Sequence, residues 1–356
     1  MMLGPLPAFA KPMKSRILLL APLLACLAPV ATAQNDKIVK TDGTVVADVK
    51  IESYDMRFLR YSKGNSKENV ASEQIEKVEL GKFKDEYARG LNDPDAMVTT
   101  AREKLAAKEL VMAQLGFLRA AEQFLDAGKA AEAMGTLDEL AKGIPDAGVG
   151  LEAFRLKCGY FMGQGTKGAA SAQAAAKKFQ AEATAKGWSA AALEGQFLEV
   201  LSSRAAPKEF QAALRGVVAA AGGNPTLGDR ANVELAHSLR ETKSLGEASK
   251  IYEKVAEETK DVNARAGAML GMGKTLYEQA GDDKEAYRKA LLMFLRVRLE
   301  TKDSWTSLQA DALYHAILAA DKWRGPEFGQ VMARCRNLLI TEYPTSEWAE
   351  RARAGR

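Results

Sequence analysis

The sequence predicts a mainly α-helical protein, an α-solenoid of about six helical hairpins that follows a small all-β module. From residue 110 onward, apolar residues recur at helical spacing, and glycine or proline separates one helix from the next. Within this region, a pattern of a small, a large and an aliphatic residue returns about every 42 residues, which is typical of stacked helical repeats. The copies are Ala248, Tyr252, Val255; Ala290, Phe294, Val297; and Met332, Arg336, Leu339.

Composition narrows the classes of function. The chain has 356 residues, of which 47% are hydrophobic and only 7% aromatic, so it is long and apolar enough to fold and suits close-packed helices. Its net charge of +4 depends on three basic residues before residue 34, a stretch without acidic residues. Removing these three of the 50 basic residues leaves 47 against 46 acidic ones. This balance gives no electrostatic reason to expect a nucleic-acid partner.

Residues 1–33 are predicted to be a cleavable export signal. Lys14 and Arg16 precede an apolar run over residues 17–30, and Ala31 and Ala33 form an Ala-x-Ala cleavage site. Two prolines interrupt the run, which is shorter than the roughly 20 apolar residues that a bilayer-spanning helix needs. The mature protein is therefore expected in the periplasm or cell envelope.

Two alternatives concern this leader. Met13 is a possible start in place of Met1, because the residues before it add little to the signal. In a competing interpretation, Cys26 is lipidated, because Leu-Leu-Ala precedes it as in a lipoprotein box. Against lipidation, the apolar run continues beyond Cys26 to the conventional cleavage site.

Residues 37–80 are predicted to form the β module. Residues 44–51 and 75–80 alternate between apolar and polar side chains, and Asp-Gly and Lys-Gly-Asn sequences supply turns. The segment resembles the small SH3-like or Sm-like barrels that precede helical repeats in some exported bacterial proteins. It lacks the basic, aromatic surface of an RNA-binding barrel, so a structural or docking role is expected. Residues 81–109 are predicted to be a connector and a first helix.

Residues 110–356 are predicted to be helical hairpins, ended by a short capping helix at 346–353. The other helices are expected at 110–125, 130–142, 151–162, 169–186, 189–203, 208–221, 229–242, 245–259, 264–279, 284–301, 307–322 and 327–342. The residues expected to anchor the second helix of each hairpin are Leu137, Ala176, Leu214, Tyr252, Phe294 and Arg336. Cys158 and Cys335 fall in different hairpins, so two buried thiols are expected rather than a disulfide.

Residues 227–355 resemble the tetratricopeptide-repeat superfamily, with small residues where its helices touch and aromatic residues where they interlock. The residues that carry this resemblance are Ala248, Tyr252, Gly271, Leu276, Tyr277, Gly281, Ala286, Ala290 and Phe294. Tyr343, Pro344 and Ala349 lie in a Tyr-Pro-Thr-Ser-Glu-Trp-Ala sequence that is similar to a junction of periplasmic members. The resemblance implies that these residues pack the repeats together and that the protein binds other proteins.

Two glycine-rich stretches look like phosphate-binding motifs but are interpreted as structural. Residues 271–275 read Gly-Met-Gly-Lys-Thr, but Ala268 occupies the position of the first Walker glycine, and the stretch falls within a predicted helix. Residues 163–168 match Gly-x-Gly-x-x-Gly, but a predicted helix rather than a strand precedes them. Helix contact and a hairpin turn, respectively, are the preferred interpretations.

No catalytic centre, cofactor site or metal site is predicted. The two histidines, His237 and His315, have Glu241 and Asp311 one helical turn away but no third ligand in the sequence nearby. Three tryptophans near the C-terminus are interpreted as packing residues, with a binding groove as the alternative: Trp305, Trp323 and Trp348.

We therefore predict a non-enzymatic, exported adaptor that binds a peptide or helix of a partner protein on the concave face of its repeats. One alternative is a structural spacer of the envelope, and another is an enzyme with a composite pocket between β module and repeats. An enzyme should gather ionisable groups with perturbed pKa values in one pocket. A binding module should have an open groove with aromatic and polar residues, and a spacer should have neither.

Overall fold

The computed structural model describes residues 35–81, 93–164, 166–203, 205–301 and 305–355. The predicted export signal, Cys26 and most of the predicted connector lie outside these residues. Within them, the protein is mainly helical, with 14 α-helices and 72% helix, and one five-stranded antiparallel sheet precedes the helices. The predicted order of a small β module and a long helical region is confirmed.

The sheet consists of β1 (Asp36–Lys40), β2 (Val45–Tyr54), β3 (Phe58–Lys63), β4 (Ser66–Ala71) and β5 (Ile75–Glu79). Its strand order is β4-β3-β2-β1-β5, so β4 and β5 form the two edges. Irregular pairing along β1 and β2 bends the sheet around a small core. The buried core residues are Ile38, Val49, Leu59, Tyr61 and Val70.

The first seven helices are α1 (Pro94–Ala106), α2 (Leu110–Asp126), α3 (Ala130–Gly143), α4 (Gly150–Gly163), α5 (Thr166–Ala185), α6 (Ser189–Ser202) and α7 (Pro207–Ala220). The other seven are α8 (Pro225–Glu241), α9 (Leu245–Glu258), α10 (Val262–Gln279), α11 (Lys284–Glu300), α12 (Thr306–Trp323), α13 (Phe328–Glu342) and α14 (Glu347–Arg353). The predicted bounds agree with these to within four residues at each end. Short polar side chains cap several helices, as Asn224, Asp261 and Ser346 do for α8, α10 and α14.

Each helix packs against the next one along the chain, with the even-numbered helices forming a common layer. In this layer, α4 contacts α6, α8 contacts α10, and α10 contacts α12. Buried alanines such as Ala231, Ala266 and Ala316 lie on these helices and allow close approach. Cys158 and Cys335 are buried free thiols. Among the described residues, no helix is both long and apolar enough to cross a bilayer.

The predicted anchor residues occupy the interior with one exception. Leu137, Ala176, Leu214, Tyr252 and Phe294 are buried. The prediction for Arg336 is wrong, because this side chain is exposed and the preceding Cys335 is buried instead. Burying an unpaired arginine is costly, so the anchor of the third copy is one residue earlier along α13, whereas Leu339 is buried at its predicted position.

The residues on which the resemblance to tetratricopeptide repeats rests are buried between helices, half-buried on them, or placed in the turns that join them. Ala248, Ala290 and Ala349 are fully buried, and Leu276, Tyr277, Ala286 and Tyr343 are half-buried. Gly281 follows α10 with a φ of +53°, which favours glycine, whereas Pro344 is exposed between α13 and α14. A Cβ atom on Gly271 would lie 2.3 Å from the Tyr252 ring, and one on Gly273 would lie 2.5 Å from the Phe294 ring. These two glycines therefore form helix contacts rather than a phosphate-binding loop.

The sheet contacts the helices at three separate places. Near α2 and α4, the Tyr54 carbonyl accepts hydrogen bonds from the Gln114 amide (3.1 Å) and from the Gly148 backbone (3.3 Å). After α5, the Arg57 guanidinium donates to the Lys186 carbonyl (3.0 Å). At the start of α10, the Val262 N–H donates to the carbonyl of Thr41 (3.0 Å). The sheet therefore joins distant parts of the helical region into one compact unit.

Candidate functional site

A cavity of about 780 Å³ runs along the even-numbered helices. Residues from α2, α4, α6, α8, α10 and α12 contribute to its wall, and these are the first helices of the predicted hairpins. Most of the wall is apolar, including Leu125, Tyr160, Phe197, Leu201, Val233 and Leu308. We call this space the large cavity.

A second cavity of about 180 Å³ lies between the sheet and helices α2 and α4. Tyr54 and Glu76 of the sheet and Glu122 and Glu152 of the helices line it. We call this space the small cavity. Three residues line both spaces, so the two cavities meet there: Arg155, Leu156 and Trp305.

An ion triad around the buried Glu194 lies where the cavities meet. Arg155 donates two hydrogen bonds to the Glu194 carboxylate, at 2.7 and 2.9 Å, and Arg230 approaches the same carboxylate at 3.1 and 3.2 Å. Each of the three is the sixth residue of its helix, α4, α6 or α8, so packing of these helices brings them to one level. Burial alone would raise the pKa of Glu194, but the two guanidinium groups hold it at about 2.

The four carboxyl groups that line the two cavities have raised pKa values. Desolvation by the surrounding protein, together with repulsion from Glu122 and Glu76, raises the pKa of Glu152 to about 8, although this residue is exposed. Enclosure also raises the pKa of Glu234, in the wall of the large cavity, to about 7. The pKa values of Glu76 and Glu122 rise for the same reason, even though Glu76 accepts hydrogen bonds from Asn263 and Glu122 pairs with Arg119.

Trp305 stands at the junction of the two cavities with 42% of its surface exposed. The side-chain carbonyl of Asn263 accepts a hydrogen bond from the Trp305 backbone (2.7 Å), while its amide donates to Glu76 of the sheet. The guanidinium of Arg230 lies 5.2 Å from the centroid of the indole ring. Trp305 therefore borders both cavities and is only partly packed, unlike the packing residue that the sequence predicts.

The other two tryptophans belong to the C-terminal core. Trp323 and Trp348 pack against the cluster formed by α10 to α14. The Trp348 ring contacts Tyr314 and His315, with ring centroids 5.2 and 5.5 Å away. These two residues are packing residues, as the sequence predicts.

The two histidines lie in separate environments. His237 lines the large cavity and hydrogen bonds to the Tyr252 hydroxyl, and burial beside Lys274 and Arg240 lowers its pKa to about 3. His315 pairs with Asp311 at 2.6 Å, and the same carboxylate binds the Lys274 ammonium at 2.8 Å. Lys274, the lysine of the Walker-like stretch, is thus engaged in an ion pair between helices.

Sequence reasoning missed the ion triad and Glu152. A signal was present, because Arg155, Glu194 and Arg230 follow one another at intervals of 39 and 36 residues, close to the repeat period. The acidic wall of the small cavity has no such signal, since Glu76 and Glu152 come from different modules. Within the described ranges, no group of three or more His, Cys, Asp or Glu side chains is placed to hold a metal ion.

No protein-family model matches the chain, and no curated protein is similar to it.

Proposed function

We propose that the chain is a non-catalytic binding scaffold, a tetratricopeptide-like α-solenoid that holds a peptide or helix of a partner protein in the large cavity. The observation that carries this proposal is a cavity of about 780 Å³ to which six successive even-numbered helices contribute. Its volume lies in the range of about 300–1,000 Å³ that is common for binding sites. Apolar side chains form most of its wall, and Arg230, Glu234 and Trp305 add polar and aromatic groups. A pure spacer has no need of such a space.

We further propose that this scaffold works in the periplasm or cell envelope. Support comes from the basic, apolar and Ala-x-Ala sequence of residues 1–33. The resemblance of residues 227–355 to periplasmic tetratricopeptide-repeat proteins supports the same location. The SH3-like module then borders the small cavity, which adjoins the binding site, because Glu76 and Tyr54 line that cavity.

An enzyme with a composite pocket is the second candidate, because the small cavity gathers Glu76, Glu122 and Glu152 with raised pKa values. Catalysis by paired carboxyl groups needs one ionised base beside one protonated acid. The carboxylate with the strongly lowered pKa is Glu194. Arg155 and Arg230 already donate hydrogen bonds to this carboxylate, so it is not available as a base. The arrangement therefore favours binding over acid–base chemistry.

Photocrosslinking in the native envelope tests the proposal. A benzoylphenylalanine residue replaces Leu201 in the wall of the large cavity, and a matched variant carries it at Glu253, which is exposed on α9. We expect one or two reproducible protein adducts from position 201 and none of these from position 253. Equal adducts from both positions, or none from position 201, would contradict binding in the large cavity.

A further inference from the structure

We propose that Arg230 binds the carboxylate of an acidic side chain in the partner segment that occupies the large cavity. This inference rests on the proposed function and adds the chemistry of the partner. The partner segment would carry one aspartate or glutamate between apolar residues. The carboxylate would lie beside Trp305, and the apolar residues would contact the wall of the large cavity.

The hydrogen bonds of the ion triad leave part of Arg230 unused. Arg155 donates to the Glu194 carboxylate from Nε and Nη2, at 2.7 and 2.9 Å, whereas Arg230 donates from Nη1 alone, at 3.1 and 3.2 Å. The Nε and Nη2 groups of Arg230 donate to no acceptor in the described part of the chain. These two groups form the side of a guanidinium that makes parallel hydrogen bonds to a carboxylate. The pair of donors with which Arg155 binds Glu194 is thus available in Arg230 for a carboxylate of the partner.

Two aromatic rings help to hold Arg230 in place. Its guanidinium carbon lies 5.4 Å from the centroid of the Phe197 ring and 5.2 Å from that of the Trp305 ring. Both rings line the large cavity together with Arg230, whose side chain is only 11% exposed. A guanidinium that contacts aromatic rings can still donate hydrogen bonds in its own plane. Arg230 is therefore ordered before the partner binds, which lowers the entropic cost of binding.

The charges of the triad favour an anion. Two guanidinium groups share the one carboxylate of Glu194, so the triad has a net charge of +1. Glu194 is buried and does not line the large cavity. Burial, together with repulsion from Arg155, lowers the pKa of Arg230 in spite of the attraction to Glu194. A carboxylate of the partner would supply the counter-charge that Arg230 lacks.

The other nearby carboxyl groups do not take this place. Asp261 attracts Arg230, but its carboxylate accepts a hydrogen bond from the Ala264 N–H (2.6 Å) at the start of α10. Glu234, one helical turn beyond Arg230 on α8, lines the large cavity without a hydrogen bond to Arg230. Because its pKa is about 7, Glu234 can take up a proton when a second carboxylate approaches. The three carboxyl groups of the small cavity do not line the large cavity.

The position of Arg230 along the large cavity suits a side chain within a segment rather than the end of a chain. Arg230 lies on α8, the fourth of the six helices that contribute to the wall. A bound segment can therefore continue past it in both directions. The wall nearby is apolar, with Leu201 on α6, Val233 on α8 and Leu308 on α12, so apolar residues are expected on both sides of the acidic one.

Selection of random twelve-residue peptides by phage display tests the inference. Each peptide is joined to the coat protein through its C-terminus, so that side chains alone supply carboxylates. The parent protein is compared with Arg230→Lys, which keeps a positive charge beside Glu194 but lacks the planar pair of donors. The matched control is Arg215→Lys, at an exposed arginine of α7 that pairs with Glu247. We expect the parent and the control to enrich peptides with an acidic residue between apolar ones, and Arg230→Lys to lose the preference for the acidic residue.

The outcomes separate the inference from the function beneath it. Failure of all three proteins to enrich any peptide would overturn the proposed function together with the inference. Enrichment by the parent of apolar peptides without an acidic residue would overturn the inference alone. An unchanged acidic preference in Arg230→Lys would do the same.

Calorimetry with the most enriched peptide, amidated at its C-terminus, gives the magnitude. Replacing its acidic residue by the corresponding amide should weaken binding to the parent by about tenfold or more, because a charge-assisted pair of hydrogen bonds is lost. The same replacement should change the affinity for Arg230→Lys, and for a second variant, Arg230→Gln, by less than about threefold. Equal losses in the parent and in both variants, or no loss in the parent, would place the carboxylate elsewhere and overturn the inference.

Discussion

Gly271 and Gly273 show how single residues set the distance between helices. Both lie within α10, where alanine would be the better helix former, yet each faces an aromatic ring of a neighbouring helix. Tyr252 of α9 and Phe294 of α11 are fully buried, so other core residues surround their rings. A missing methyl group, rather than backbone freedom, is the reason for glycine at these positions.

Replacing Gly271 by alanine should therefore destabilise the protein in spite of the gain in helix propensity. The new Cβ atom would lie 2.3 Å from the Tyr252 ring, and overpacking of this kind costs about 1–3 kcal/mol in free energy of unfolding. Urea denaturation followed by circular dichroism measures the change. Gly135→Ala is the matched control, because α3 leaves open space there, and it should stabilise by about 0.5–1 kcal/mol. A neutral Gly271→Ala variant would show that the two helices can separate freely.

The carboxyl group of Glu152 should make stability depend on pH. Its pKa is about 8 in the folded protein against an ordinary value of 4.5, so between these pH values the folded state keeps a proton that the unfolded state has lost. This contribution to stability is present below pH 4.5 and is lost as the pH rises through 8. Glu152→Gln should therefore reduce the fall in melting temperature between pH 5.5 and pH 8.5. Parallel curves for the parent, Glu152→Gln and Glu253→Gln would contradict this prediction.

At the scale of the elements, helical periodicity accounts for most of the secondary structure that the sequence predicts correctly. The predicted helices agree with the structure because apolar spacing, polar caps and glycine stops are local signals. Arg336 was misplaced because a period of about 42 residues is only approximate, and one residue of drift turns a helix by roughly 100°. The docking of the sheet and the wall around Glu152 depend on contacts between distant segments, which no local pattern in one sequence encodes.

The last helix depends on its cap more than the others do, because it has only seven residues. The Ser346 hydroxyl accepts a hydrogen bond from the Ala349 N–H at 3.1 Å. Ser346→Ala should cost about 0.5–2 kcal/mol of local stability and should increase hydrogen exchange in α14. Exchange measured by mass spectrometry checks this result. The control Thr345→Ala changes an exposed neighbour and should leave exchange in α14 as it is.

At the scale of the whole molecule, the sheet links parts of the helical region that are far apart in the sequence. Its contacts reach the Gln114 amide in α2, the carbonyl of Lys186 after α5, and Val262 in α10. An array of helical repeats without such links unfolds in parts, because each repeat contacts only its neighbours. The linked protein should instead unfold as a unit.

Gln114→Ala should weaken this linkage. Gln114 is fully buried and binds both the Tyr54 carbonyl and the Val149 N–H, and leaving such groups without partners costs about 1–3 kcal/mol. In the parent protein, circular dichroism and tryptophan fluorescence should report the same urea midpoint, whereas in Gln114→Ala the midpoint should fall. Gln330→Ala, on the exposed face of α13, serves as the control. Two separate transitions in the parent would mean that sheet and helices are independent.

The hydrogen bond between Glu76 and Asn263 also bears on the order in which the chain can acquire its structure. The two residues are 187 positions apart, and the sheet leaves the ribosome long before α10 does. Hairpins of neighbouring helices can form as soon as they are synthesised, because their contacts are local. The hydrogen bond between Glu76 and Asn263 can form only after more than half of the chain has been synthesised. The small cavity thus receives Trp305, and Glu76 its hydrogen bonds from Asn263, only at a late step of folding, when most of the chain has been made.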